Sequence, residues 1–271
     1  MFPFLLTVLI FQFINWILEA IKLNILLIDS DKYNFFDVVK AVYAGNLTAL
    51  ITPKRLGNFI GRSWILNNKV KHIVTASVSG NLSQLFVTVL MAFIAFIAIN
   101  FYKIDKLELL DSYFLTLSVL YGVILLFLSL ILFNKKWYEV FYQFNFLVFM
   151  KKPLKYLKKI VLIKRFQILL ISIFRYFVFI IQYYILFLAF KIPIELVDVA
   201  IFVGILFGLV TFIPSFAPGN LGTREALSIF ILGGSVIGIQ LSSISFIVWV
   251  INVAISALIG GLILLNKDRK P

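Results

Sequence analysis

Residues 213–226 read IPSFAPGNLGTREA and interrupt an apolar part of the chain. An apolar stretch, 196–213, precedes this segment, and a short apolar piece, 227–237, follows it. Proline and glycine end helices, so the sequence predicts two short helices separated by a break. In a membrane protein such a break survives only where protein buries it or where it lines a wet cavity.

A second stretch of the same kind lies in the first half of the chain. Residues 52–62 read TPKRLGNFIGR and follow a short apolar stretch, 36–51. The spacing P-x-x-L-G occurs in both, at residues 53–57 and 218–222. Paired short segments interrupted by Gly and Pro are typical of a transporter site at the interface of an inverted repeat. The names first and second broken segment are used below for residues 36–70 and 196–238.

The composition indicates a membrane protein. Of the 271 residues, 62% are hydrophobic and 14% are charged, whereas a soluble domain is about half apolar and about a quarter charged. This balance excludes a soluble enzyme domain, a nucleic-acid-binding module and a disordered tail. A membrane-spanning helix needs about 20 apolar residues. Five stretches are long enough to span, namely 4–28, 73–101, 112–133, 166–190 and 240–265.

The sequence shows no catalytic pattern. It has no cysteine and one histidine, His72, which excludes thiol chemistry and multi-histidine metal sites. It contains no P-loop and no nucleophile elbow. Asp29-Ser-Asp31 forms a D-x-D pattern in a short turn, which we interpret as a solvated loop. We therefore predict that the protein is not an enzyme and has no cofactor and no metal site.

The basic residues predict the topology. If both broken segments return to the side that they left, 19 of the 25 basic residues fall on one side of the membrane and four on the other. The positive-inside rule then places the C-terminus in the cytoplasm. The net charge of +13 marks cytoplasmic loops in this view, rather than a nucleic-acid partner. The basic stretch 134–165 is expected to lie along the cytoplasmic membrane interface.

The predicted fold class is an all-α polytopic membrane protein. It has about five full transmembrane helices and two re-entrant broken segments in an inverted repeat. Residues 1–271 form a single transmembrane domain, with 1–133 as the first half and 166–271 as the second. If both broken segments crossed the membrane fully, the piece 227–237 would cross alone, and about 11 residues do not cover the hydrocarbon layer.

Polar residues follow one face of the first helix. Gln12, Asn15, Glu19 and Lys22 recur at helical spacing. Ionisable groups inside a membrane are costly, so each is a candidate functional residue. Glu19 and Lys22 stand at i and i+3, so they either neutralise each other or line a cavity.

Other polar residues lie in the predicted spans. Arg175 and Gln182 share a face, and Arg175 is too deep for its side chain to reach the interface easily. We expect Arg175 to need an acidic partner or an anionic ligand, and Glu19 is the obvious carboxylate. A further stripe favours hydrogen bonds between helices over a cavity; it consists of Ser77, Asn81, Gln84 and Thr88.

The broken segments carry the sharper binding chemistry. Arg55 and Arg62 lie in the first, and Arg224 with Glu225 opens the helix after the break in the second. A helix N-terminus with a guanidinium group beside it suits phosphate, and glycines let the backbone approach a headgroup closely. In the alternative interpretation, Arg224 and Glu225 only cap the helix and pair with each other.

Five stretches of the chain form a recognisable set, namely NWILEAIK (15–22), TPKRLGNFIGR (52–62), SGNLSQLFVT (79–88), FRYFVFIIQYY (174–184) and APGNLGTREA (217–226). Together they resemble the lysylphosphatidylglycerol synthetase transmembrane-region family, in order and over nearly the whole chain. The resemblance implies an integral inner-membrane protein with inverted repeats and re-entrant helices. It also implies translocation of a lipid with a polar headgroup or a polyprenyl chain.

The chain departs from the family pattern in three places. Relatives usually carry an acidic residue where this chain has Asn58, so a role linked to that carboxylate is not expected here. They commonly carry a glycine where this chain has Asn220. They usually have a further span before the NWILEAIK helix, so we expect this chain to begin one helix late.

The sequence therefore predicts a translocase, or flippase, of a polar-headgroup or polyprenyl-linked lipid in the inner membrane of a prokaryote. One alternative is a scaffold or accessory subunit for cell-envelope glycosylation enzymes, with 134–165 as the partner surface. Another is a small-solute transporter. The predicted headgroup path consists of Asn15, Glu19, Arg55, Arg62, Arg175, Gln182, Arg224 and Glu225. The residues predicted to shape the backbone of the two breaks are Pro53, Gly57, Pro218, Gly219 and Gly222.

Overall fold

The secondary structure of the described residues is helical throughout, which confirms the predicted all-α class. The computed structural model describes residues 1–27, 33–52, 57–67, 70–101, 111–133, 156, 160–213, 217–232 and 238–267. The helices are α1 Phe2–Leu26, α2 Phe35–Ile51, α3 Asn58–Leu66, α4 Val70–Phe101, α5 Asp111–Phe133, α6 Leu162–Ala189, α7 Leu196–Phe212, α8 Thr223–Leu232, α9 Gly238–Trp249 and α10 Ser256–Lys267.

Five helical stretches among the described residues are long and apolar enough to cross a membrane. This confirms the five predicted spans and makes the chain a multi-pass integral membrane protein. The helix α7, with 17 residues, is apolar but shorter. The five stretches are Phe2–Leu26, Val70–Ile99, Phe114–Phe133, Leu162–Ala189 and Gly238–Asn266.

Both broken segments are interrupted where the sequence predicts it. The helix α2 ends before Thr52, whose backbone is extended at φ −107° and ψ 142°. The helix α7 ends before Ile213, which is extended at φ −77° and ψ 121°. A proline follows each of these residues in the sequence. The proline ring disfavours helical geometry in the residue before it, and this ends both helices.

The first break folds α3 back against α2. The backbone N–H of Gly57 donates to Oγ1 of Thr52 at 2.7 Å, and a side chain at Gly57 would overlap the carbonyl group of Thr48. Gly61 lies equally close to the carbonyl group of Ala44. Glycine is needed here for close approach of the two helices, because Gly57 itself has an ordinary helical φ of −67°.

The second break needs unusual backbone angles instead. Gly219, Asn220 and Gly222 have φ values of 63°, 60° and 80°, in the left-handed region that most L-residues avoid. Asparagine visits this region more readily than other residues that carry a side chain. This explains how Asn220 can hold a left-handed position in the turn. Nε1 of Trp249 donates to the carbonyl oxygen of Pro218 at 3.1 Å and holds the turn against α9.

Helices of the two halves pack against each other in pairs. The helix α1 packs against α6, α2 against α10, and α7 against α4. Small residues bring these helices close, with Gly204 and Gly208 of α7 facing Ala95 and Ala92 of α4. The last helix is continuous from α9 to α10 through one π-helical turn, Val250–Ile255.

Some predictions concern parts of the chain that the structure does not describe. Pro53 and Arg55 lie outside the described residues, as does most of the basic stretch 134–165. Tyr156 is described, and its hydroxyl donates to the carbonyl oxygen of Leu26. The interfacial position of this stretch stays a prediction.

Replacing Gly260 by alanine should destabilise the protein. Gly260 of α10 lies so close to α2 that a Cβ atom would overlap the carbonyl group of Tyr43. The helices would have to move apart, at a cost of about 1–3 kcal/mol in the free energy of unfolding. Thermal unfolding in detergent, followed by the monodisperse fraction that survives heating, measures the loss.

The neighbouring Gly261→Ala variant is the matched control. A Cβ atom there would meet methyl groups of Leu47 at 3.8 and 4.0 Å, which is ordinary contact. Alanine also favours a helix over glycine, so this variant should be as stable as the wild type or slightly more stable. Equal stability of the two variants would contradict close packing of α10 on α2.

Candidate functional site

A single buried carboxylate, that of Glu19 in α1, binds three cations. Its Oε1 lies 3.0 Å from Nη2 of Arg62 in α3. Its Oε2 lies 2.9 Å from Nζ of Lys22 and also pairs with Nη1 of Arg175 in α6. The sequence left an acidic partner and an anionic ligand open for Arg175, and the structure shows the acidic partner, Glu19. These four side chains are called the Glu19 cluster below.

Neighbouring polar groups fix both arginines. Nη1 of Arg62 donates to Oγ of Ser77 at 3.0 Å. Nε of Arg175 donates to Oδ1 of Asn15 at 2.9 Å, and its Nη1 donates to Oε1 of Gln84 at 3.3 Å. The Arg175 guanidinium also lies 5.7 Å from the ring centre of Trp16. Charged hydrogen bonds and cation–π contact together hold the guanidinium groups in defined positions.

The Glu19 cluster carries more positive than negative charge. All four side chains are buried, with Lys22 only 1% exposed and Arg62 only 2% exposed. Three cations share one carboxylate, so the cluster has a formal charge of +2. Buried charge that is not neutralised is costly. The arrangement therefore favours an additional anion close to the cations.

A cavity of about 650 Å³ opens beside the Glu19 cluster. Its volume lies within the usual range for small-molecule sites, about 300–1,000 Å³. Three residues of the cluster line it, together with amide, hydroxyl and apolar side chains. The lining residues are Trp16, Glu19, Asn46, Asn58, Phe59, Arg62, Asn81, Gln84, Leu85, Thr88, Arg175 and Thr211.

The polar stripe of α4 serves both roles that the sequence left open. Ser77 binds Arg62, and Gln84 binds Arg175 while its Nε2 donates to the carbonyl oxygen of Ser172 at 3.4 Å. Hydrogen bonds between helices are thus present, as expected. Gln84 lines the cavity as well, together with Asn81 and Thr88.

Gln182 lies away from the cavity. Its Nε2 donates to the carbonyl oxygen of Val8 at 3.0 Å, and its Oε1 accepts from Nδ2 of Asn252 at 2.9 Å. These bonds tie α1 and α6 to the π-helical turn. The structure gives Gln182 a packing environment, with its side chain fully buried.

Arg224 and Glu225 lie in α8, outside the lining of the cavity. The Arg224 guanidinium lies 5.3 Å from the ring centre of Phe207. Both carboxylate oxygens of Glu225 are buried without a hydrogen-bond partner among the described residues. One turn further along α8, Oγ of Ser228 lies 2.5 Å from Oγ of Ser245. The structure does not bring these two charged residues to the Glu19 cluster.

The model of the lysylphosphatidylglycerol synthase transmembrane region matches residues 1–260. The chain belongs to this family. The match covers the Glu19 cluster, the cavity and both broken segments. No curated protein and no solved structure shows a significant match to the chain.

In this member of the lysylphosphatidylglycerol synthase transmembrane-region family, several site residues escaped prediction, among them Lys22, Asn46 and Asn58. Lys22 was visible in the polar stripe of the first helix but was not assigned to the site. Asn46 is a polar residue in the apolar helix α2, which was a usable signal. Asn58 was noted only as a departure from the acidic residue of the family. Within the described residues, no three His, Asp or Glu side chains come together as metal ligands.

Replacing Glu19 by glutamine should strongly destabilise this family member. The change leaves three buried cations without their carboxylate, and breaking a buried ion pair costs about 3–5 kcal/mol. Adding Arg175→Gln removes one of these cations, so the double variant should lose less stability than the two single losses added together. Thermal unfolding in detergent measures each variant.

Asp37→Asn is the control for the same chemical change. Asp37 pairs with Lys40 at 3.2 Å, but both side chains are about half exposed. Exposed ion pairs contribute about 0–1 kcal/mol, so this variant should unfold near the wild-type temperature. A Glu19→Gln variant as stable as Asp37→Asn would show that the Glu19 cluster does not support the fold.

Proposed function

We propose that the protein is a translocase, or flippase, of a lipid with a polar headgroup or a polyprenyl chain. One observation carries the proposal. A cavity of about 650 Å³ with a buried cluster of charge +2 lies among helices that are long enough to cross a membrane. Packing of membrane helices does not require this arrangement, because an apolar interior of the same shape would avoid burying charge.

The cavity suits a headgroup whose tails stay in the bilayer. Amides and hydroxyls line it beside the charges, and Trp16, Phe59 and Leu85 supply apolar wall. Asn81 and Thr211 are exposed residues of the lining, so the cavity communicates with the surface of the helix bundle. A headgroup entering there finds cations and hydrogen-bonding groups that replace part of its hydration, which lowers the barrier to crossing.

The two broken segments are proposed as re-entrant halves of an inverted repeat. The reciprocal packing supports this proposal: α2 of the first segment packs against the last helix, α10, and α7 of the second packs against α4. If α1, α2, α3 and α4 correspond to α6, α7, α8 and the continuous helix α9–α10, the α2–α10 contact and the α7–α4 contact occupy equivalent positions in the two halves. A transporter of this type carries its site at the interface of the repeats.

Arg224 is proposed as the second-half counterpart of Arg62. Each arginine lies on the short helix that follows a break, α8 or α3. Buried polar groups accompany both, and around Arg224 they include Glu225, Ser228 and Ser245. A headgroup leaving the Glu19 cluster would next meet this second group of polar side chains.

Family membership supports a lipid as the cargo. The lysylphosphatidylglycerol synthase transmembrane-region family is associated with lipid flipping in the multiple peptide resistance factor. The region matched here is the transmembrane region, and we propose that this chain acts as a translocase without a catalytic step of its own.

Lipid flipping in proteoliposomes tests the proposal. Purified protein should accelerate the loss of fluorescence of labelled lipids when an impermeant quencher is added outside. Thr211→Trp places a bulky ring at the exposed part of the cavity lining, so it should reduce flipping at least about tenfold, which corresponds to about 1.4 kcal/mol in the barrier.

Thr7→Trp is the matched control. Thr7 and Thr211 are both exposed, and each hydroxyl donates to the carbonyl oxygen four residues earlier, at 2.9 and 2.7 Å. Thr7 does not line the cavity, so this variant should flip lipid at the wild-type rate. Equal rates of the two variants would remove the cavity from the path. Folded protein that flips no lipid would favour a scaffold or a small-solute transporter.

Single cysteines test the re-entrant topology, because the native chain has none. Cysteine at Asn34, before the first broken segment, or at Asn67, near the end of that segment, should react with an impermeant reagent from the cytoplasmic side. Cysteine at Lys191 or Ile239 should react from the opposite side. All four native side chains are exposed. Reaction of Asn34→Cys and Asn67→Cys from opposite sides would show that the first segment crosses the membrane.

A further inference from the structure

Several polar atoms are buried without partners where α1 and α2 meet the π-helical turn of the last helix. Gln12 of α1 is fully buried, and neither its amide nitrogen nor its amide oxygen has a hydrogen-bond partner among the described residues. The same holds for the hydroxyl of Tyr43 in α2 and for Oδ1 of Asn252 in the π-helical turn. Buried polar groups nearly always have a partner, so these atoms in one region require an explanation.

The three side chains lie on elements that contact one another. The helix α1 contacts both α2 and the π-helical turn, and α2 contacts that turn as well. The phenol of Tyr43 lies near Gln12 without completing a hydrogen bond. Nδ2 of Asn252 donates to Oε1 of Gln182, whose Nε2 donates to the carbonyl oxygen of Val8, one turn before Gln12. The name polar seam is used below for Gln12, Tyr43 and Asn252.

The polar seam is closed and dry in this structure. Each of its unpartnered atoms has less than 1 Å² of accessible surface, so no space large enough for a water molecule adjoins them. Buried water is the usual partner of such groups and makes about three hydrogen bonds in its site. Water can therefore reach these atoms only if α1 separates from α2 and the π-helical turn.

The polar seam adjoins the cavity beside the Glu19 cluster. Trp16, one turn after Gln12 in α1, and Asn46, one turn after Tyr43 in α2, both line that cavity. The ion pair between Arg62 and Glu19 ties the first broken segment to α1 across this region. Separation of α1 from α2 would thus enlarge the cavity along α1.

We propose that the polar seam opens to water in a second conformation, in which α2 and the last helix move together away from α1. Gly260 of α10 lies against the backbone of Tyr43, and this close packing makes α2 and the last helix one unit. Hydration of the seam atoms offsets part of the apolar contact that is lost on opening. The use of this opening as a continuation of the lipid path rests on the proposed function, whereas the opening itself does not.

Two glutamines provide a matched test of the closed conformation. Gln12 and Gln182 are both fully buried in spanning helices, but Gln182 is bonded through both ends of its amide. Gln12→Leu removes two unpartnered atoms, so this variant should unfold at the wild-type temperature or above it. Gln182→Leu removes two hydrogen bonds and should unfold at a lower temperature. Equal losses in detergent would show that Gln12 has partners and would contradict the inference.

Cysteine accessibility tests the opening directly. Gln12→Cys and Asn252→Cys place a thiol in the polar seam, and Val203→Cys places one at an equally buried apolar position in α7. The probe is the charged reagent methanethiosulfonate ethylsulfonate, applied to protein in lipid nanodiscs, where both faces are accessible. The seam thiols should react at least about tenfold faster than Val203→Cys, because only local opening exposes them. Equal protection of all three thiols would overturn the inference.

Flipping assays in proteoliposomes separate this inference from the proposed function. Because Gln12→Leu stabilises the closed conformation, it should slow flipping at least about fivefold without loss of stability. Reactive seam thiols in a protein that flips no lipid would keep the opening and remove the translocase. Lipid flipping by a protein whose seam thiols stay protected would keep the translocase and contradict the opening.

Discussion

The buried carboxylate of Glu19 is the interaction on which the rest of the structure depends. It holds Lys22 of its own helix, Arg62 of α3 and Arg175 of α6 at one point. Charge inside a membrane protein is tolerated only with partners, so the positions of three helices are fixed by one side chain. The partial neutralisation is equally important, because it leaves positive charge beside a cavity. A structural ion pair would have balanced its charges.

The two breaks reach a similar outcome by different means. Thr52 and Ile213 end their helices because a proline follows each of them. After that point the first break uses Gly57 for close contact between helices, and the second uses Gly219 and Gly222 for left-handed backbone angles. The shared P-x-x-L-G spacing therefore does not imply a shared local geometry.

Much of the fold was predictable because it depends on local sequence. Apolar length gave the five spans, and proline and glycine gave the breaks. The need of Arg175 for an acidic partner or an anionic ligand was predictable, because an arginine at that depth cannot reach the interface easily; its pairing with Glu19 came only from the structure. The place of Arg62 in the same cluster was not predictable, since nothing in the sequence shows that α3 turns Arg62 toward Glu19 of α1. Gln182 and Arg224 lie away from the cavity because helix rotation and tertiary packing, which spacing does not encode, decide where they point.

The last helix has a mechanical consequence. Its first part, α9, holds the second break through the bond from Trp249 to Pro218, and its second part, α10, lies against α2 of the first broken segment at Gly260. The π-helical turn between them has i→i+5 hydrogen bonds in place of the i→i+4 bonds of an α-helix, which rotates the face of α10 relative to that of α9. One continuous helix thus contacts both breaks. A movement of either break relative to this helix would therefore strain the contact that the same helix makes with the other break.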